Sequence, residues 1–138
     1  MKYLLLAIVF IASILIPIDG RAARPAQPMQ SPQSADFTLP GNRVPTAEMV
    51  RASIILAGSA RGWQVASEQA GELTLRNNIR NKHVVVVNVH YDSKGVRVEY
   101  VSSENLEYEM RNGVAYIHPK YNEWVKLLLN DIVAKVSI

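Results

Sequence analysis

The chain has 138 residues, 15 Lys+Arg against 12 Asp+Glu, a formal net charge of +3 and no cysteine. Lack of cysteine excludes a disulfide framework, a thiolate metal site, a cysteine nucleophile and the lipid-accepting cysteine of a bacterial lipoprotein. The small basic excess is not concentrated along one face, which argues against nucleic acid as a partner.

Residues 1–22 have the layout of a secretory signal peptide: Lys2, an apolar run over 3–18, then Gly20, Arg21 and Ala22 as the small-residue site. The run falls short of the ~20 residues of a membrane span, and Pro17, Asp19 and Arg21 interrupt its end. Cleavage after Ala22 is therefore expected, giving a periplasmic or secreted protein. The alternative is an inner-membrane anchor formed by 3–18, with the domain still outside. Loss of Lys2, Asp19 and Arg21 with the leader leaves thirteen basic and eleven acidic residues.

Over 23–44 the composition turns to Pro, Gln, Ser and Ala, with Pro25, Pro28, Pro32 and Pro40 spaced through it. Such a tract buries little apolar surface and favours solvated, extended backbone, so it reads as a disordered linker. The remainder, 45–138, is the length of one small domain.

That domain is expected to begin with a helix capped by Thr46, with Glu48 in its first turn, Met49, Val50, Ile54 and Ala57 at helical spacing, and Gly62 as its stop. Strands follow at 63–68 and 72–77. The third, 83–91, is β-branched and aromatic; Val85, Val87, Val89 and Tyr91 make one apolar row, and Val84, Val86, Asn88 and His90 a mixed one. After the turn at Asp92 to Gly95 a returning strand, 96–102, pairs Tyr91 with Val96, Val89 with Val98, Val87 with Tyr100, His90 with Arg97 and Asn88 with Glu99. A one-residue slip would set apolar side chains against charged ones. Asn112-Gly113 marks a possible hairpin between 106–110 and 114–117. The last helix starts at Pro119, with Tyr121, Trp124, Val125, Leu128, Ile132 and Val136 on its apolar side. The expected fold is α+β: about four antiparallel strands with an N-terminal and a C-terminal helix packed on one face, in the order α-β-β-β-β-α.

Catalytic chemistry finds little support in this layout. His83 and His90 are an odd distance apart in one strand and point to opposite faces, so they cannot share an ion. His118 precedes the last helix, where capping is its ordinary role and general-base catalysis the sharper one. No nucleophile elbow, phosphate loop or dinucleotide fingerprint occurs, so no catalytic, cofactor-binding or metal residue is assigned and no cofactor is expected. The basic run 76–83, with Arg76, Arg80, Lys82 and His83, could meet anionic headgroups, or be an ordinary solvated loop. A candidate partner surface is the mixed sheet face of Val84, Val86, Asn88, His90, Arg97, Glu99 and Val101, whose valines make an apolar strip. It stays open unless the 23–44 tract or the 106–117 segment folds over it.

The stretches 55–63, 100–108 and 117–125 together resemble a family of small exported proteobacterial proteins of unknown function, often labelled lipoproteins. That resemblance implies an envelope location and an α+β domain and transfers no catalytic residue; the missing lipobox cysteine departs from the label. Its recurring positions here are Arg61, Trp63, Ser102, Ser103, Asn105, Tyr108, His118, Tyr121 and Trp124. Ser103, Asn105 and His118 are expected either to line a polar groove or to serve as turn and cap residues. The function these readings favour is a non-enzymatic periplasmic binding domain with an envelope protein as partner. The alternatives are a hydrolase of an envelope polymer with His118 as base, or an anionic membrane-surface binder through 76–83.

Overall fold

The computed structural model describes residues 24–138, so the leader expected at 1–22 lies outside the described residues. The elements are β1 (Gln27–Pro28), β2 (Gln33–Asp36), a 3-10 turn (Pro40–Asn42), α1 (Ala47–Ser59), β3 (Trp63–Gln69), β4 (Glu72–Ile79), β5 (His83–Tyr91), β6 (Gly95–Glu104), β7 (Glu109–Arg111), β8 (Val114–Ile117) and α2 (Pro119–Val136). The class is α+β, with two antiparallel sheets: five strands in the order β2-β6-β5-β4-β3, and three in the order β1-β8-β7. No helix among the described residues is long and apolar enough to cross a membrane.

Local chemistry sets the ends of the helices. Thr46 Oγ1 accepts from the Met49 amide at 3.1 Å, satisfying one of the unpaired donors of α1. Gly62 adopts φ +89 just beyond the helix, where a side chain would be strained. At the start of α2, Pro119 occupies the first turn, where its missing N–H does no harm.

The expected register of the central hairpin is observed pair for pair from Tyr91↔Val96 to Val87↔Tyr100. Val85, Val87 and Val89 are fully buried, joined by Leu73 and Leu75 of β4 and Val98 of β6. Against this row pack Val50, Ile54 and Ala57 of α1 and Tyr121, Val125, Leu128 and Ile132 of α2. Each valine removed from water contributes roughly 1.5–3 kcal/mol.

Two expectations are corrected. The expected four strands are joined by a fifth, β2, at the β6 side, with a second three-stranded sheet besides, and the 23–44 tract, expected to be disordered, supplies strands from residue 27 onward. β2 pairs along the outer edge of β6, Gln33↔Val98 through Asp36↔Gly95, and β1 pairs with β8. The physical reason is a period-two apolar pattern within the polar tract: Ala35 and Phe37 are half-buried against the core and Leu39 is 8% exposed. The Asn112-Gly113 hairpin forms as expected, with both residues at positive φ.

Asn122 of α2 fastens the N-terminal segment. Its Oδ1 accepts from the Gln30 amide at 2.9 Å, its Nδ2 donates to the Pro28 carbonyl at 3.2 Å, and its own carbonyl accepts from Gln33 Nε2 at 3.3 Å. Ser31 Oγ accepts from the Tyr100 amide, which lies beyond the end of the β2 pairing. Asn122→Ala removes both side-chain bonds and is expected to destabilise the fold by about 1–2 kcal/mol. Hydrogen exchange is expected to rise first in 27–36; unchanged protection there would show that β2 holds without this clamp.

Candidate functional site

The seven residues expected to form a partner surface lie together on the face of the five-stranded sheet opposite the helices. Their positions follow from the register: Asn88 is across from Glu99 on one side and Thr74 on the other, and His90 sits between Arg97 and Glu72. Thr74 Oγ1 and Asn88 Oδ1 are hydrogen-bonded at 2.8 Å. His90 lies between two carboxylates, with Nδ1 3.7 Å from Glu72 and Nε2 3.3 Å from Glu99. Arg97 reaches the same Glu99 oxygen at 3.9 Å. The two acids thus approach opposite nitrogens of one ring, in a row of side chains running across three strands.

A β-bulge alters the far end of this face. The pairing passes from Val87↔Tyr100 to Val86↔Ser102, leaving Val101 as the extra residue, 46% exposed. Past the bulge, Ser102 and Glu104 take the places directly across from Val86 and Val84. The expected valine strip therefore exists with Val101 beside it and polar partners opposite. The two segments expected as alternative covers of the face are paired elsewhere: β1 with β8, β2 along the edge of β6, and β7 with β8.

The edge of β3 is a poorer docking place than the face. It is bulged between Val65 and Ser67, and Glu68 is tied from the helix side by Arg51, with Nε and Nη2 each 2.9 Å from a carboxylate oxygen. A bulge and an inward charge are devices that blunt an edge against strand addition. The hydrogen bond from Arg51 also holds the Glu68 carboxyl below its ordinary value.

The residues singled out by the resemblance separate into two groups. Arg61, Trp63 and Trp124 meet around one cleft at the end of the sheet. Ser103, Asn105, His118 and Tyr121 do not form a polar groove. Ser103, turned inward by the bulge, bonds the Tyr100 hydroxyl at 2.7 Å. Asn105 Nδ2 donates to the Lys82 carbonyl, and its own carbonyl lies 2.7 Å from His83 Nδ1. His118 Nδ1 accepts from the Lys120 amide at 3.1 Å, capping α2, and the residue makes no ion pair among the described residues. Among those residues no group of three or more His, Cys, Asp or Glu is placed to hold a metal.

Tyr121 takes the core position expected of it on the apolar side of the last helix, and only the state of its hydroxyl was not suggested by the sequence. It is fully buried, its ring is T-shaped against Tyr100 at 5.4 Å, and its hydroxyl has the Ser31 side chain nearby but makes no hydrogen bond of good geometry. Burial pushes this phenol far above its usual range, opposed only in part by the nearby Ser31 side chain. An orphaned buried hydroxyl costs about 1–3 kcal/mol. Tyr121→Phe is therefore expected to leave the fold intact and raise its stability by up to about 1 kcal/mol, read as a higher urea midpoint. A lower midpoint would show that the hydroxyl is satisfied in solution.

The Arg51–Glu68 tie also has a pH signature. Because the folded carboxyl is depressed, its stabilisation is complete above the ordinary Glu range and is lost as pH falls through the folded value. The difference in urea midpoint between the native protein and Arg51→Ala is expected to shrink as the solution is acidified from neutral through that window; a constant difference would assign Arg51 a packing role alone. No protein-family model, curated protein or solved structure matches this chain.

Proposed function

We propose that this protein is an exported, non-enzymatic binding domain of the bacterial envelope, and that an envelope protein docks on the open face of its five-stranded sheet. The observation that carries this reading is the partly buried pair Val84 and Val86 with the exposed Val101, beside the Glu72–His90–Glu99 cluster, on a face that no described element covers. Apolar side chains rimmed by charge are the pattern of a partner surface. The apolar leader and the resemblance to exported proteobacterial proteins support the compartment. The hydrolase reading is weaker, because the His118 ring nitrogen a base would use is engaged in a helix cap.

Val86→Glu combined with Val101→Glu is expected to abolish crosslinking of the protein to its partner in intact cells. The thermal unfolding midpoint, measured alongside, separates lost docking from lost folding. A folded double variant that retains every crosslinked partner would overturn the proposal. The compartment has its own test: mass spectrometry is expected to find a mature N-terminus at Ala23, whereas an intact Met1 would make residues 3–18 an anchor.

A further inference from the structure

Both tryptophans of the chain line one cleft. Trp63, only 3% exposed, is at the start of β3; Ile79 ends β4, and Trp124 and Leu127 come from α2. The cleft has a volume of about 330 Å³, at the lower end of the ~300–1,000 Å³ of ligand pockets. That is room for one anchoring side chain rather than for an extended molecule. Its floor is held by close packing: a Cβ added at Gly58 would sit 3.2 Å from the Cβ of Trp63. Its two polar residues are already engaged, since Asn77 Nδ2 donates to the Arg61 carbonyl at 3.0 Å and the Arg61 guanidinium bonds Asp131.

Beside the cleft stands a turn with uncommitted charge. The Lys82 amide donates to the Ile79 carbonyl, closing a tight turn within the three-residue connection between β4 and β5, with Arg80 at φ 56 and Asn81 at φ 52. Such turns favour Gly, Asn or Asp at both central positions, so an arginine there is held at a conformational cost. The turn is pinned against the cleft: the His83 ring lies 6.2 Å from Trp124, and Asn105 holds the Lys82 carbonyl. Arg80 and Lys82 are exposed and, like Arg43, Arg76, Lys94, Lys126 and Lys135, make no ion pair among the described residues; of these, they are the two carried by the turn that follows Ile79 of the cleft.

We propose that this cleft is a second recognition site, separate from the open sheet face, which receives an aromatic or branched apolar side chain from an acidic polypeptide segment whose carboxylates face Arg80 and Lys82. A concavity with nearly buried Trp63 at its floor and the partly exposed Trp124 beside it suits a protruding side chain. It does not suit a bilayer, into which Trp63 at the floor cannot reach. Charge complementarity at the rim selects acidic partners over basic ones.

Because both tryptophans line the cleft, intrinsic fluorescence reports on it. Titration with the capped peptide Glu-Glu-Phe-Glu-Glu is expected to give a saturable change in emission. Glu-Glu-Ala-Glu-Glu and Lys-Lys-Phe-Lys-Lys are expected to give none. Arg80→Gly combined with Lys82→Gln should weaken binding about tenfold, as should Leu127→Glu; glycine suits the backbone at position 80, so the first variant preserves the turn. Val86→Glu should leave the titration unchanged, which keeps this site's failure distinct from failure of the sheet-face reading. Absence of a saturable change at millimolar peptide, or an equal response to the basic peptide, would overturn the proposal. A response to phosphatidylglycerol vesicles with none to the acidic peptide would overturn it in favour of a membrane surface.

Discussion

Val85, Val87 and Val89 are all at zero exposure, and because strand side chains alternate, sealing this row fixes both neighbouring strands at once. A shift of one residue would present Asn88 and His90 to the helices and turn the three valines to water. At about 1.5–3 kcal/mol per valine, that loss rivals the roughly 5–15 kcal/mol by which a domain is stable at all. The helices then have a single surface on which to bury α1 and α2, and the opposite face is left with whatever the even-numbered positions carry. The cluster on that face is thus a consequence of core packing, made before any partner is considered.

This explains which parts of the architecture were legible in the sequence. β5 and β6 could be aligned residue by residue because alternation is a local property and the burial pattern admits one register. The bulge at Val101 could not be anticipated, since it exchanges one serine for another on the inward face: an unbroken register would set Ser102 across from Val85, whereas the bulge sets Ser103 there, bonded to Tyr100. The N-terminal strands were hidden by composition. Four prolines and a run of small polar residues dominated the tract, although the alternation of Ala35, Phe37 and Leu39 was present in it.

The candidate sites divide along the same line. The seven sheet-face residues belong to adjacent strands, so register alone assembles them. The tryptophan cleft depends on how α2 crosses the end of α1 and how far β4 extends, and neither follows from periodicity. Trp63 and Trp124 each read as ordinary core residues along their own elements, and only their meeting makes a concavity. His118 shows the reverse case: its position before a proline at a helix start already suggested a cap, and the cap geometry is what forms.

The N-terminal clasp has a kinetic consequence. The Gln30 amide and its acceptor on Asn122 are 92 positions apart, and β1 finds its partner only in β8. The domain therefore closes on itself as a loop spanning almost its whole described length, and loop closure of that kind is slow. Until β8 and α2 exist, β1 has no strand to pair with and the backbone of Pro28 and Gln30 has no clamp, although β2 can already lie along β6. A chain synthesised or delivered from its N-terminus must hold the residues around Pro28 and Gln30 in waiting until α2 arrives, and formation of that helix is the step that locks the N-terminal segment in place.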